Sequence, residues 1–273
     1  MNKQVKVQPM KTSFTKFSLV VLAFVAVLLA QCYPAKMALQ PEAWQQKEEY
    51  EVQGKKGIFS KEKLQFGEFY TTQVKRSWTR GSSNKGSISD DYTNVISVDY
   101  INRKQTIHFS LADAGNRSSE VFCASNFNTS EVQVGNRPNS IFNIGVDIVK
   151  NLLLQPDNKY YVQIYFRNQS PWELLVDNTQ TQMNPGKYVG YLSQGPDRYY
   201  TIVPVRQMEK KDGTPGTIAF GSVGFEFRNK EGKAIAAVSK LNKGSVYMQN
   251  ISADEKFLLA NACAALLLKE EIE

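Results

Sequence analysis

The sequence predicts a mainly β protein, an antiparallel barrel or sandwich that buries an apolar C-terminal helix. Three observations lead there. Short runs alternate between apolar and polar residues, and turn residues separate them about every 8–12 positions. The chain then closes on Phe257 to Leu268, FLLANACAALLL, in which Asn261 is the one polar member.

Residues 160–167 give the clearest strand. Tyr160, Val162, Ile164 and Phe166 share one face, and Tyr161, Gln163, Tyr165 and Arg167 the other, which is the period-two pattern of a half-buried strand. Residues 106–111 group Ile107, Phe109 and Leu111 and leave His108 and Ser110 opposite. Further strands are expected over 66–74, 94–100, 121–127, 173–177, 188–192 and 199–205. Ile218 and Phe220 keep one phase and Val223, Phe225 and Phe227 the other, a slip at Gly221-Ser222 of the kind a β-bulge produces. Asn229-Lys230-Glu231-Gly232 and Leu241-Asn242-Lys243-Gly244 read as turns, which makes 234–239 and 245–249 strands of a meander. Residues 141–155 fit both a strand and a helical face, with a slight lean to a helix in the second half, and Pro156 ends either one.

The C-terminal helix has a start signal as well as a body. Ser252-Ala253-Asp254-Glu255 has the S-x-x-E spacing of a capping box, and its two acids suit the positive end of the helix dipole. A helix apolar on every side must be surrounded. Its twelve-residue run spans about 18 Å, short of the roughly 30 Å hydrocarbon core of a bilayer, so its place is inside the domain. A strand-rich chain that closes on such a helix, here residues 62–270, resembles the tubby-like barrel, whose closed sheet surrounds an apolar helix. The likeness is one of layout; no motif is shared and no ligand is carried over.

The N-terminus reads as an address. Residues 1–18 carry Lys3, Lys6, Lys11 and Lys16 and no acid, and Leu19 to Ala30 are uniformly apolar, the n- and h-regions of a secretory signal. Leu28-Leu29-Ala30-Gln31-Cys32 resembles the lipobox of bacterial lipoproteins, in which the cysteine sulfur is diacylated and the chain is cut before it. Gln31 stands where that pattern favours Gly, Ala or Ser. The resemblance implies lipidation of Cys32. Tyr33, in place of the aspartate that retains many such proteins in the inner membrane, implies the outer membrane, facing the periplasm. Cleavage after Cys32 with soluble secretion, and an uncleaved anchor, are the alternatives. On this reading 1–31 is a signal peptide, 32–61 a polar lipid-proximal tether containing Pro34, Pro41, Gly54 and Gly57, and 62–273 a single β-rich domain.

Removing 1–31 lowers the net charge from +7 to +3, with 29 Lys and Arg against 26 Asp and Glu, which gives no case for nucleic acid. The cluster of Lys75, Arg76, Arg80 and Lys85 around Trp78 reads as a solvated strand and turn. A single histidine, His108, excludes mechanisms that need two imidazoles, and three cysteines make neither a disulfide scaffold nor a Cys-only zinc site. No G-x-S-x-G, HExxH, P-loop, EF-hand or G-x-G-x-x-G pattern occurs. The S-x-x-K spacings at Ser60 and Ser82 lack partner motifs, Asp90, Asp91 and Asp99 are carboxylates without an arrangement, and Cys123 with His108 is the one conceivable dyad. No catalytic, cofactor or metal residue is assigned, and Cys123 and Cys263 are expected to be reduced. The best ligand contacts are Tyr161 and Tyr165 on the less apolar strand face, with Trp172 just beyond, as rings able to stack on sugars.

The function expected is that of an exported, lipid-anchored envelope protein with a non-catalytic binding or structural role. Its partners would be the membrane, through the lipid, and an envelope protein or glycan. An envelope glycan or peptide hydrolase, and a lipid or hydrophobic-ligand binder, are the alternatives. Converging carboxylates in a pocket would favour the first of these, an open apolar cavity the second.

Overall fold

The computed structural model describes residues 35–54, 63–77, 105–127, 158–210 and 212–269. The chain divides into two compact units, 1–35 and 36–273, and every element below belongs to the second. In order these are β1 (Lys36–Met37), β2 (Glu48–Glu51), β3 (Gln65–Phe66), β4 (Phe69–Ser77), β5 (Gln105–Ala112), β6 (Ser118–Phe127), β7 (Lys159–Tyr165) and β8 (Trp172–Asp177). The short helix α1 (Asn178–Met183) leads to β9 (Gly190–Gly195) and β10 (Arg198–Val205). An outlying hairpin, β11 (Gln207–Glu209) and β12 (Pro215–Thr217), precedes β13 (Gly224–Arg228), β14 (Ala234–Ser239) and β15 (Ser245–Met248), and α2 (Ala253–Leu268) comes last.

Twelve strands make one antiparallel sheet in the order β2-β15-β14-β13-β10-β9-β8-β7-β6-β5-β4-β3. A bridge between Gln53 and Gln65 joins its two edges, so the sheet is a nearly closed barrel and not a sandwich. Closure removes the unpaired edges that an open sheet would present. The inward face is layered in register: Ile107, Cys123 and Val162 lie side by side on β5, β6 and β7, as do Phe109, Val121 and Ile164. All six are buried. They pack around α2.

The helix fills the barrel. Residues 257–268 are all buried. Asn261 is fully satisfied inside, accepting from Ser119 Oγ at 2.6 Å and donating to the Phe257 carbonyl at 2.8 Å. The serine half of the expected capping box forms, with Ser252 Oγ accepting from the Glu255 amide at 3.3 Å and donating to the Glu255 carboxylate at 3.4 Å. At the other terminus, where carbonyls lose their intrahelical partners, the Tyr160 hydroxyl donates to Ala265 O at 2.7 Å and Arg76 to Leu268 O at 2.8 Å. Gly244 sits there at φ 97°, and a Cβ on it would fall 2.6 Å from Leu267 Cδ2. Both the turn and the closeness of the helix require glycine at that point.

The barrel therefore has two ends. The start of α2 and the β5–β6, β7–β8 and β9–β10 turns mark one, called the mouth below. The end of α2, with Tyr160, Arg76 and α1, marks the other.

Four expectations are corrected. Residues 36–53 are part of the domain and not a tether. β1 pairs with β11, β2 pairs with β15, and Trp44 is 3% exposed, donating through Nε1 to Glu226 at 3.1 Å. Met37 and Trp44 cover the outer face of the last strands beside Ala237 and Tyr247. The segment reads as polar because β2, Glu-Glu-Tyr-Glu, is held by backbone pairing and by the Lys256–Glu48 ion pair (2.8 Å), not by an apolar stripe. Residues 66–74 are not one strand but a hairpin, turned at Gly67 (φ 55°) so that Phe66 faces Phe69. No bulge occurs at Gly221-Ser222: Ile218 packs on the outlying cluster, and Phe220 is 85% exposed in the link before β13. Arg76 is not a solvated surface cation but caps α2. The lipobox with Cys32, the strand expected over 94–100, the ambiguous run 141–155, and Ser60, Trp78, Arg80, Ser82, Lys85, Asp90, Asp91 and Asp99 lie outside the described residues.

Candidate functional site

A meander returns every second turn to the same end, and three such turns build the mouth. The β5–β6 turn supplies Asn116, Arg117 and Ser118, the β7–β8 turn Phe166, Arg167 and Gln169, and β10 begins with Arg198 and Tyr200. With Trp172 and the first turn of α2 they enclose a cleft of about 610 Å³, within the range of small-ligand sites. Asn116 (φ 63°) and Asn168 (φ 57°) let two of these turns close tightly.

The arginines of the mouth differ in their surroundings. The Arg117 guanidinium lies 4.8 Å from the Phe257 ring centroid. It is also clamped, Nε donating to buried Asp113 at 2.6 Å and Nη1 to Asp254 at 3.1 Å. Arg198 lies over the Trp172 ring at 5.2 Å. Trp172 in turn packs on Tyr200, 5.7 Å between centroids, and the Tyr200 hydroxyl donates to Glu255 at 2.9 Å. Burial, and then the bond to Glu255, raise the Tyr200 phenol above its ordinary pKa, so it remains a donor. Arg167 is exposed, and neither it nor Arg198 has a carboxylate partner among the described residues. The two acids at the start of α2 are engaged, Asp254 with Arg117 and Glu255 with Tyr200 and the Ser252 hydroxyl.

Of the residues singled out from sequence, Trp172 lines this cleft, whereas Tyr161 and Tyr165 do not join it. Trp172 pairs with Ile164 and points inward. Tyr161 and Tyr165 point outward and are nonetheless buried, Tyr161 donating to Glu173 at 2.5 Å and Tyr165 to Gln163 at 3.0 Å. That network holds the outer sheet face together and leaves their hydroxyls engaged within the fold. The Cys123–His108 dyad is also corrected. Cys123 faces inward beside Tyr160, and His108 faces outward, stacked on Phe122 at 4.4 Å and 2.7 Å from Glu120. A sheet separates them. Burial pushes the Cys123 thiol up to about 12 and raises that of Cys263 as well, and both cysteines are free.

Arg117, Arg167, Arg198 and Tyr200 were not singled out from sequence. The signal was topological: in a meander of hairpins, the residues around alternate turns meet at one end, so the arginines at 117, 167 and 198 belong to a single rim.

Compared with known proteins, the chain matches no family model, no curated relative and no solved structure. Its class is therefore set by its own geometry: an antiparallel barrel plugged by a helix, with a polar, arginine-bearing mouth.

Proposed function

We propose that this chain is an exported, lipid-anchored envelope protein with a non-catalytic binding role, and that the mouth of the barrel is where it binds. The observation that carries the binding role is the cleft itself, a space of ligand size in which Arg117 and Arg198 lie over aromatic rings and Arg167 and Arg198 have no carboxylate partner among the described residues. Among the described residues the barrel interior is occupied by α2, whose residues 257–268 are all buried. The two carboxylates at the cleft serve as partners of Arg117 and Tyr200, which suits a binding surface better than general acid–base work.

The address rests on the resemblance of residues 28–32 to a lipobox. Acylation at Cys32 would leave three residues between the lipid-bearing cysteine and Lys36, a span of at most about 14 Å. The domain would then ride close to the outer membrane, on its periplasmic side. Mass spectrometry of the purified N-terminus tests the address: a diacylated Cys32 is expected, and an unmodified N-terminus at Tyr33 would overturn it. Exposure of the protein to envelope glycan and peptide digests tests the role. Retention of a component without new reducing ends or amines is expected, and turnover would replace binding by hydrolysis.

A further inference from the structure

Resting on the reading of the mouth as a binding site, we infer that its ligand is an acidic oligosaccharide. The anionic substituent is held by Arg198 and Arg167, and the sugar hydroxyls by the neutral groups around them.

The charge argument comes from which cations are already matched. Arg117 is satisfied by Asp113 and Asp254, so it borders the cleft and adds little net field. Arg167 and Arg198 are the excess. Arg198 is exposed and lies over the Trp172 ring, 5.2 Å from its centroid, and a guanidinium is a fork that can meet a carboxylate or sulfate in two parallel hydrogen bonds. Ser252, Asp254 and Glu255 at the start of α2 line the same space, where the positive end of the helix dipole lies.

The saccharide argument comes from the uncharged groups. Asn116, Ser118 and Gln169 line the cleft with amide and hydroxyl side chains that have no side-chain partner among the described residues. Neighbouring donors and acceptors of this kind match vicinal hydroxyls, each of which both gives and takes a hydrogen bond. Phe166 and Tyr200 are half-buried and add ring surface for the apolar face of a sugar. The volume, about 610 Å³, is that of a small-ligand site.

A membrane headgroup would use the same anion chemistry, but the architecture opposes it. β10 starts at the mouth with Arg198 and runs away from it to Val205, and the chain then enters β11. β1 is paired with β11 there, and Met37 Sδ lies 2.7 Å from where a Cβ on Gly224 would stand, beside the end of β10. The first described strand thus enters the domain at the end opposite the mouth.

The test is titration calorimetry of the full chain in detergent micelles with digalacturonate, 6-O-sulfated galactobiose, neutral galactobiose and sodium sulfate. Both acidic disaccharides are expected to bind, and their ratio tells whether carboxylate or sulfate is the preferred group. Neutral galactobiose should bind about tenfold or more weakly, and Arg198→Gln and Arg167→Gln should each cost about tenfold. Arg198→Lys, which keeps the charge and loses the fork, should recover only part of the affinity. An unchanged melting temperature in all three variants ties the loss to the site. Equal binding of neutral and acidic disaccharides would overturn the acidic class while leaving the mouth as a sugar site. Sulfate binding as tightly as the sulfated sugar would overturn the saccharide. Binding of phosphatidylglycerol vesicles that is lost in Arg167→Gln, with no disaccharide bound, would put a headgroup in its place. No binding by any probe, with the NMR signals of the mouth unmoved, would overturn both the inference and the mouth as a binding site.

Discussion

The two ends of α2 are built from the same helix and treated in opposite ways. At its end, the last carbonyls are taken by Tyr160 and Arg76, and Lys269 adds a bond to the Asn178 side chain on α1. Those donors come from β4, β7 and the segment after the helix, and they leave little for a ligand to satisfy. At its start, the helix uses its own Ser252 as cap, and its acids face arginine and tyrosine side chains in an open cleft. One end spends its polar groups on the fold, whereas the other keeps guanidinium groups in reserve. The difference locates the site more firmly than any single residue does.

The largest effect is expected from a change that destroys both ends at once. Leu259 is fully buried in the middle of the barrel. Leu259→Asp places an unpaired charge there, against a total stability of about 5–15 kcal/mol for a domain. No cooperative thermal transition should remain by circular dichroism, and deletion of 252–273 should act alike. A variant that melts at the parental temperature would remove the helix from the core and the comparison with it.

Thiol chemistry sharpens the same point. Cys123 and Cys263 lie on the inner wall and on the helix, buried and with raised thiol pKa values. Alkylation by iodoacetamide at pH 8 should be slower by about 10³-fold or more in the native protein than in denaturant, because it needs global opening. Native-state labelling at the denatured rate would show that the barrel breathes.

Next come two hydroxyl deletions, one at each end. Tyr160→Phe removes one of two bonds to the Ala265 carbonyl, which keeps that from the Lys269 amide, and should cost about 0.5–1.5 kcal/mol, or about 2–4 °C of melting temperature per kcal/mol, without altering binding at the mouth. Tyr200→Phe removes the bond to half-exposed Glu255 and should cost less than about 1 kcal/mol while weakening digalacturonate binding. The reverse pattern, stability lost at Tyr200 and affinity at Tyr160, would break the assignment of roles.

The smallest effect is pH-dependent. The hydrogen bond from Lys256, then that from Tyr50, hold the Glu48 carboxyl below its ordinary value, with burial opposing. A carboxyl whose folded pKa is depressed stabilises the protein above its unfolded pKa of about 4.3. That contribution is lost as pH falls through the folded value. The pair is exposed, so less than about 1 kcal/mol is at stake. The stability gap between parent and Glu48→Gln, measured by urea unfolding, should be open at pH 7 and closed near pH 3. A gap that widens toward acid would reverse the sign of the interaction.

Much of the barrel was legible because its inward residues keep period two over β5 and β7, and because α2 announces itself by cap and composition. What was hidden shares a cause. β2 carries three glutamates and is held by pairing with β15 across nearly the whole chain, so no local pattern marks it. The hairpin at Gly67 is too short for its turn to interrupt the apolar alternation. Tyr161 and Tyr165 were placed on the correct strand face, yet local sequence does not tell that this outer face is buried. Trp172 was grouped with them although it points inward, since the phase of β8 relative to β7 is set by the turn between them. The mouth escaped for a different reason: its arginines are far apart in sequence and meet only once the meander is wound.

The position of α2 in the chain also sets a dependence. It is the last element among the described residues, and the twelve strands that surround it come before it. Glu48, on the first barrel strand, pairs with Met248, on the last, and a barrel wound without α2 would enclose empty space. The native core therefore needs the last described helix as well as the strands that come before it. The inner faces of the strands thus depend on a segment that follows all of them in the chain.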